Sequence, residues 1–386
     1  MYQGSYVLSQ IFDLINRYDF DKCVSNHKGN YKVKTLSCWQ QFIVMSFAQL
    51  SYRESLRDIE FCLAGMQSKL YHCGIKNKIA RSTLAKANEN RTWKMYADFA
   101  QVLIKKAVPL YKGDNELARE LKTIVYAFDS TIIDLCSTLF PWAKYRSTTN
   151  AVKVHVLLNI DGSIPEFVSV TEGRRQDVKL LDDITYASGC FYLIDKAYLD
   201  FRRLYKMELQ KAFFVTRAKE NLAYTVAAIN KINKREGINK DELIKLKWHH
   251  GKRKYPIIFR RIEYYDALTK KNLTFITNHL TIEAITIARL YKERWKVELF
   301  FKWIKQNLKI KRFYGNSENA VKTQIWIALC DYLLIAILKK QLKVEASLNQ
   351  ILQIISISLF EKCDIKKLFI KEQTNLISNQ INLFEN

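Results

Sequence analysis

What most limits the folds open to this chain is a change of hydrophobic period near residue 122. Over residues 6–111 apolar side chains recur at helical spacing: Val7, Ile11, Leu14 and Ile15, then Phe42, Ile43, Met45 and Phe47, then Leu56, Ile59 and Leu63. From Lys122 the pattern becomes that of strands. Residues 123–128 are β-branched and aromatic and end at Asp129; 151–160 alternate and stop at the turn Asp161-Gly162; 165–171 supply a third strand. A helix over 177–187, a short strand over 190–194 ending at Asp195, a helix over 199–209 and a strand over 212–216 complete the run. The order β-β-β-α-β-α-β predicts an α/β core with a mixed sheet, in which the first and fourth strands can lie side by side.

The rest of the chain divides by pattern, since no Ser/Gly-rich linker or repeat marks a boundary. Residues 1–115 are expected to form a helical N-terminal domain. Residues 116–220 and 281–345 are expected to form the core, 221–280 a β-rich insertion, and 346–386 C-terminal helices and a tail. The insertion reads as a polar helical piece followed by strands over 243–249, 255–265 and 273–278. One long amphipathic helix is expected over 282–309, with further helices over 318–340 and 347–360. Residues 81–91 read as a helix opening at a Ser/Thr cap with basic and amide side chains outward, suited either to a DNA groove or to a solvated face.

Charge narrows the partner. Lys and Arg number 62 against 38 acidic residues, a net charge of +24, of the sign that phosphate backbones attract. Eight scattered cysteines without a C-x-x-C pair suit a reducing compartment, and MYQGSYVLSQ lacks the order of a secretory leader, so a cytoplasmic location is expected. The longest apolar run, 325–338, is broken by Asp331 and is shorter than the roughly 20 residues a bilayer needs; it reads as a buried helix, with no membrane partner.

Asp129 closes the first strand, Asp195 the fourth, and Glu298 lies within the long helix. Taken singly, each has an ordinary reading as a turn or surface carboxylate. Together, three acidic oxygen donors suit Mg²⁺ or Mn²⁺ rather than softer ions. Two such ions about 3.5–4 Å apart stabilise both attacking and leaving oxygens of an in-line phosphoryl displacement. Tyr291, Arg294, Glu298 and Lys305 stand at offsets that put all four on one stripe of a helix, while Leu299, Phe300 and Ile304 point elsewhere to anchor it. Such a stripe is a poor packing face and a good phosphate and metal face. The bland alternative is an Arg294–Glu298 ion pair in solvent.

Tyr291-x₂-Arg294-x₃-Glu298-x₆-Lys305 resembles the Y-R-E-K motif of bacterial insertion-sequence transposases of the IS-four group of DDE transposases. Phe128-Asp-Ser-Thr131, Phe140-Pro-Trp-Ala-Lys-Tyr-Arg146, Val152-Lys-Val-His155, Leu193-Ile-Asp-Lys-Ala-Tyr198, Phe214-Val-Thr-Arg-Ala-Lys219 and Gly315-Asn-Ser-Glu-Asn-Ala320 are similar to that group too. The resemblance covers residues 5–365. It implies a ribonuclease-H-like core, a β-strand insertion before the glutamate helix, a helical domain that helps bind DNA, and cut-and-paste chemistry with a hairpin intermediate. Asp129, Asp195 and Glu298 would be the catalytic residues and the ligands of two Mg²⁺ or Mn²⁺ ions. Tyr291, Arg294, Lys305, Lys196 and Lys302 would contact phosphates. The implied partners are double-stranded DNA, as terminal inverted repeats and target, and a second copy of the chain in a synaptic homodimer on the nucleoid.

The second aspartate departs from the motif, with Asp195-Lys196-Ala197-Tyr198 where many relatives carry Asp-Arg-Gly-Tyr; Lys196 keeps the charge without the two-pronged donor. His155 and Asp177 read more simply as a core histidine and a helix cap than as site residues. Lys309, Lys311 and Arg312 continue the basic helix, and the stretch Trp248-His-His-Gly-Lys-Arg-Lys254 suits a DNA-touching loop without the spacing of a zinc site. A nuclease without strand transfer and a catalytically silent DNA-binding relative are the competing readings.

Overall fold

The computed structural model describes residues 4–146, 149–247, 254–308, 310 and 312–369. Its helices are α1 (Val7–Asp13), α2 (Arg17–Asn26), α3 (Cys38–Leu50), α4 (Leu56–Gly65), α5 (Gln67–Leu70), α6 (Arg81–Asn90), α7 (Lys94–Tyr111), α8 (Glu116–Leu121), α9 (Phe201–Leu209), α10 (Ala284–Glu293), α11 (Trp295–Asn307), α12 (Glu318–Gln341) and α13 (Leu348–Ser358). Its strands are β1 (Val125–Leu135), β2 (Asn150–Asn159), β3 (Ile164–Glu172), β4 (Phe191–Ile194), β5 (Phe213–Arg217), β6 (Tyr224–Ile229), β7 (Ile238–Leu246), β8 (Phe259–Asp266) and β9 (Lys271–Thr277). Two compact units result. Described residues within 1–110, 134–143 and 302–386 form one, and those within 111–133 and 144–301 the other.

The first unit is helical. Ser37 and Gln40 form a reciprocal capping box that starts α3, satisfying two amides the helix itself cannot. α12 runs through the middle, almost wholly buried from Ala320 to Leu338 and packed on α3, α6 and α13. It is long and apolar enough to cross a membrane, but 94% of its apolar window is buried within this unit, as expected of a core helix. α6 does not open at a Ser/Thr cap. Ala80 holds the cap position, and the Arg81 amide donates to Glu60 Oε1 of α4 at 3.0 Å. Leu84, Ala87 and Asn88 are buried, leaving Ser82, Lys86, Glu89 and Asn90 outward.

The second unit is built on one nine-stranded sheet, ordered β3-β2-β1-β4-β5-β9-β8-β7-β6. β1, β4 and β5 run parallel, the order expected of a ribonuclease-H-like core. β2 and β3 form an antiparallel hairpin whose turn has positive φ at Gly162 and Ser163, the geometry that matches strand twist. The β-rich insertion continues this sheet: β9 pairs antiparallel with β5, and β8, β7 and β6 extend it. Tyr192, Ile194, Phe214 and Ile276 face Leu204 and Met207 of α9 on one side. Alternation turns Phe275 to the other side, where its ring lies 5.1 Å from Tyr291 of α10.

Several boundaries differ from the sequence expectation for physical reasons. β1 does not end at Asp129 but runs on through Ser-Thr-Ile-Ile-Asp to Leu135, since those residues keep the β-branched pattern. The helix expected over 177–187 is only a 3₁₀ turn, Asp177–Asp182, because the Tyr186 amide is taken by Gln210 Oε1 at 3.0 Å instead of a helical carbonyl. The polar helical piece is instead strand β6, recruited by pairing with β7. The long helix is two, α10 and α11, meeting at Arg294. There the amides of Arg294 and Val297 each donate to the carbonyl three residues back, a tight turn between the helices. Leu299 is half-exposed and does not anchor the helix; Val297 and Phe300 do. Lys309, Lys311 and residues 248–253 lie outside the described residues.

Candidate active site

The register of the three parallel strands sets the site. Phe128 pairs with Ile194 and Leu193 with Val215, so carrying the register on puts Asp129, within β1, beside Asp195 just past the carboxyl end of β4, and Asp195 beside Arg217 at the carboxyl end of β5. Two carboxylates and a guanidinium therefore share one end of the sheet. Open α/β sheets present ligand sites at the carboxyl ends of their strands.

Asp129 is held tightly. Its Oδ1 accepts from the Ser130 amide at 2.8 Å and the Tyr198 hydroxyl at 3.2 Å. Its Oδ2 lies 3.4 Å from Arg294 Nη1. Burial pushes the Asp129 carboxyl above its usual range and nearby Asp195 adds to this, while the Ser130 amide, Arg294 and Tyr198 pull it back only in part. Asp195 turns one oxygen onto the Ala197 amide at 2.9 Å, capping the 3₁₀ turn Lys196–Tyr198. Ala197 is not among the residues with positive φ, so this turn does not demand the glycine found in the motif of relatives.

Arg294 joins the helix to the strands. Its Nη2 reaches Glu298 Oε1 at 2.5 Å while Nη1 faces Asp129, so one guanidinium spans both carboxylates. This is the Arg294–Glu298 pair expected of a solvated helix face, but its arginine side chain is only 13% exposed and turned onto the sheet. The Tyr291 hydroxyl is pushed up to about 12 by burial, with Arg294 lowering it and Asp195 raising it. Lys196 is exposed and lines a cleft with Asp195, Arg217, Lys219, Tyr224 and Arg261. Lys302 and Lys305 follow Glu298 by one and two turns of α11, in the part that belongs to the helical unit; Lys302 is exposed and Lys305 half-buried.

Sequence reasoning missed Arg217, Tyr198 and Ser130. Arg217 had a usable signal, since it ends the strand next to the one that Asp195 follows. Asp177 and Lys153 enter through side-chain contacts, which no spacing rule reveals. Among the described residues no three carboxylate, histidine or cysteine side chains stand together as a ready-made metal centre. The donor set nevertheless fits a hard divalent cation at the two aspartates. They offer oxygen donors only, which suits such an ion.

Comparison with known proteins places this geometry. A transposase DDE domain family matches residues 120–334, and a domain of unknown function matches residues 3–76. A Sinorhizobium fredii protein bearing the name transposase y4zB is 32% identical over 286 residues, 73% of this chain and 78% of that one. The chain belongs to the DDE transposases. Members of this family are enzymes that cleave and join DNA, typically with divalent metals, and the ribonuclease-H-like order of β1 to β5 in this transposase is the scaffold expected for them. The transposase named for insertion sequence element IS5377 of Geobacillus stearothermophilus is 31% identical over 57% of this chain and 58% of its own length. That named for IS4SA of Synechocystis sp. is 24% identical over 67% and 71%. The solved piggyBac transposase synaptic complex with hairpin DNA aligns with 94% of this transposase and 79% of that chain, at 9% identity and a TM-score of 0.47.

Proposed function

We propose that this transposase acts on the ends of its own insertion sequence, with Asp129, Asp195 and Glu298 as the catalytic carboxylates, and that it falls in the IS-four group by its Tyr291-Arg294-Glu298-Lys305 spacing. The observation that carries the reading is the register of two adjacent parallel strands, which sets Asp129 within β1 level with Asp195 just past β4, with Arg294 linking Asp129 to Glu298. Asp129 and Asp195 would hold Mg²⁺ or Mn²⁺, two ions at full loading, with Glu298 exchanging its bond to Arg294 for the second. Bound there, the ions supply an activated water and neutralise charge on the phosphate.

The chain's own groups do the rest. Arg294, released from Glu298, keeps a guanidinium within reach of a phosphate, and Tyr291, Lys196, Lys302 and Lys305 bind the flanking backbone. Arg217 and Lys219 add cationic charge along the cleft beside Asp195. The substrate is double-stranded DNA at terminal inverted repeats, then target DNA, with a hairpin intermediate. Two ends held together call for a homodimer, working in the cytoplasm on the nucleoid. The described part of the helical unit would contribute DNA contacts through the outward side chains of α6.

The test is nicking of end DNA in Mg²⁺. Asp129→Asn, Asp195→Asn and Glu298→Gln are each expected to lower the rate at least about a thousandfold while retaining end binding, the scale on which removing a member of a catalytic set acts. Nicking by these variants at the wild-type rate would sink the assignment. A precut end with a free 3′-OH should be joined to target DNA; cleavage without joining would make the enzyme a nuclease.

A further inference from the structure

If Asp129 is a ligand, one of its two oxygens must be kept free to face the ion, and a part-buried hydrogen-bond chain in this unit does that. We infer that Tyr198, Ser130 and Asp177 are positioning residues for Asp129, an inference that rests on Asp129 being a catalytic carboxylate. Asp129 Oδ1 is engaged twice, by the Ser130 amide and the Tyr198 hydroxyl, leaving Oδ2 on the Arg294 side. Tyr198 is 3% exposed with its ring edge-on to Phe128 at 5.1 Å, so its hydroxyl cannot swing away. The same hydroxyl lies 3.1 Å from Ser130 Oγ, which lies 3.1 Å from Asp177 Oδ1. Two hydroxyl protons then serve two carboxylates: Tyr198 donates to Asp129 and Ser130 donates to Asp177.

Asp177 is the anchor. Lys153, buried on β2, sits 3.1 Å from its Oδ1 and 3.2 Å from its Oδ2, and also donates to the Arg175 carbonyl at 3.2 Å. His155 closes the other side. Its Nε2 meets Thr171 Oγ1 at 2.9 Å, and the Thr171 hydroxyl donates to the Glu172 carbonyl, so Nε2 carries the ring proton. Nδ1 then turns a lone pair toward Asp177 Oδ1 at 3.8 Å, a contact that repels and leaves Ser130 and Lys153 as the partners of that carboxylate. The chain thus runs from β2 through the 3₁₀ turn at Asp177 to β1 and the turn after β4, tying the aspartate's orientation to three elements at once. Partners that orient metal ligands typically change metal affinity or activity by about 10- to 100-fold when removed.

The experiment compares the full chain with Tyr198→Phe, Ser130→Ala and Asp177→Asn, using Asp129→Asn as reference. Mn²⁺ binding is followed by electron paramagnetic resonance without DNA, alongside thermal melting, end-DNA binding, and nicking as a function of Mn²⁺. The expected result is a roughly tenfold or greater rise in the Mn²⁺ needed for half-saturation in Tyr198→Phe and Asp177→Asn, with nicking restored by excess Mn²⁺ and with melting and end binding unchanged. Wild-type Mn²⁺ affinity in these variants, or a loss of affinity that only tracks a loss of folding, overturns the inference. Should Tyr198→Phe misfold, Ser130→Ala removes the central link with a smaller change. If Asp129→Asn itself keeps wild-type Mn²⁺ binding and nicking, it is the reading of Asp129 that fails; if Asp129→Asn loses both while Tyr198→Phe changes neither, the positioning chain alone fails.

Discussion

Asp331 stands in the middle of α12 with 1% of its surface exposed, among Cys330, Tyr332 and the apolar turns of the helical unit. Burial drives its carboxyl well above the usual range, and the nearby Ser46 hydroxyl offsets only part of that. A carboxyl raised in the folded state binds its proton more tightly there than when unfolded. Its contribution is therefore best below the unfolded value and worsens as pH rises toward the folded one, the reverse of an ion-paired aspartate. Asp331→Asn is accordingly expected to stabilise the helical unit at pH 7 by on the order of 1 kcal/mol and to flatten its melting temperature between pH 4 and 8. An Asn variant less stable than wild type at pH 7 would show that the charged form is the one the fold uses. At this scale the sequence was legible where chemistry is rare by composition, as with an acid inside an apolar run. It was illegible for Ser130, and it led to a helix cap for Asp177, since the contacts of these ordinary polar residues come only from what folds against them.

Elements were read best where a period was long and unopposed. α12 and β2 lie close to where their patterns put them, because each is buried along its length and its apolar spacing has one solution. The errors lie where a neighbour decides. β6 is a strand because β7 pairs with it; its residues are mostly exposed, so no buried face gives it an alternating pattern that would announce a strand. The break at Arg294 was invisible to a rule that assumes 100° per residue throughout, although the stripe it was meant to explain survives in part: Arg294 and Glu298 still meet. Within the extension, Arg260 and Asp241 form a two-pronged pair at 2.7 and 2.6 Å, with side chains 5% and 3% exposed. Removing one partner of such a pair strands a buried charge. Asp241→Ala should destabilise β7 and β8 by about 3–5 kcal/mol, seen as faster amide exchange across these strands, with the β1–β4 amides far less affected.

For the molecule as a whole, charge was the most legible property and the arrangement of its units the least. A net charge of +24 makes counterion release the expected source of most DNA affinity. With about 6–10 phosphates contacted, end-DNA binding should weaken by roughly a thousandfold or more between 50 and 200 mM salt; a flat response in a filter-binding titration would argue against an electrostatic interface. The chain also returns on itself in a way no local pattern signals, since residues after 302 complete the helical unit begun by residues 1–110. The nine-stranded sheet adds a last point. Its open margins are β3 and β6, and the margin at β6 lies four strands beyond β5, with Ile229 and Val226 facing outward. Hairpins can be gained or trimmed at that far border without moving a rung among β1, β4 and β5. A change of length at that border therefore leaves the register that sets Asp129 level with Asp195 as it is.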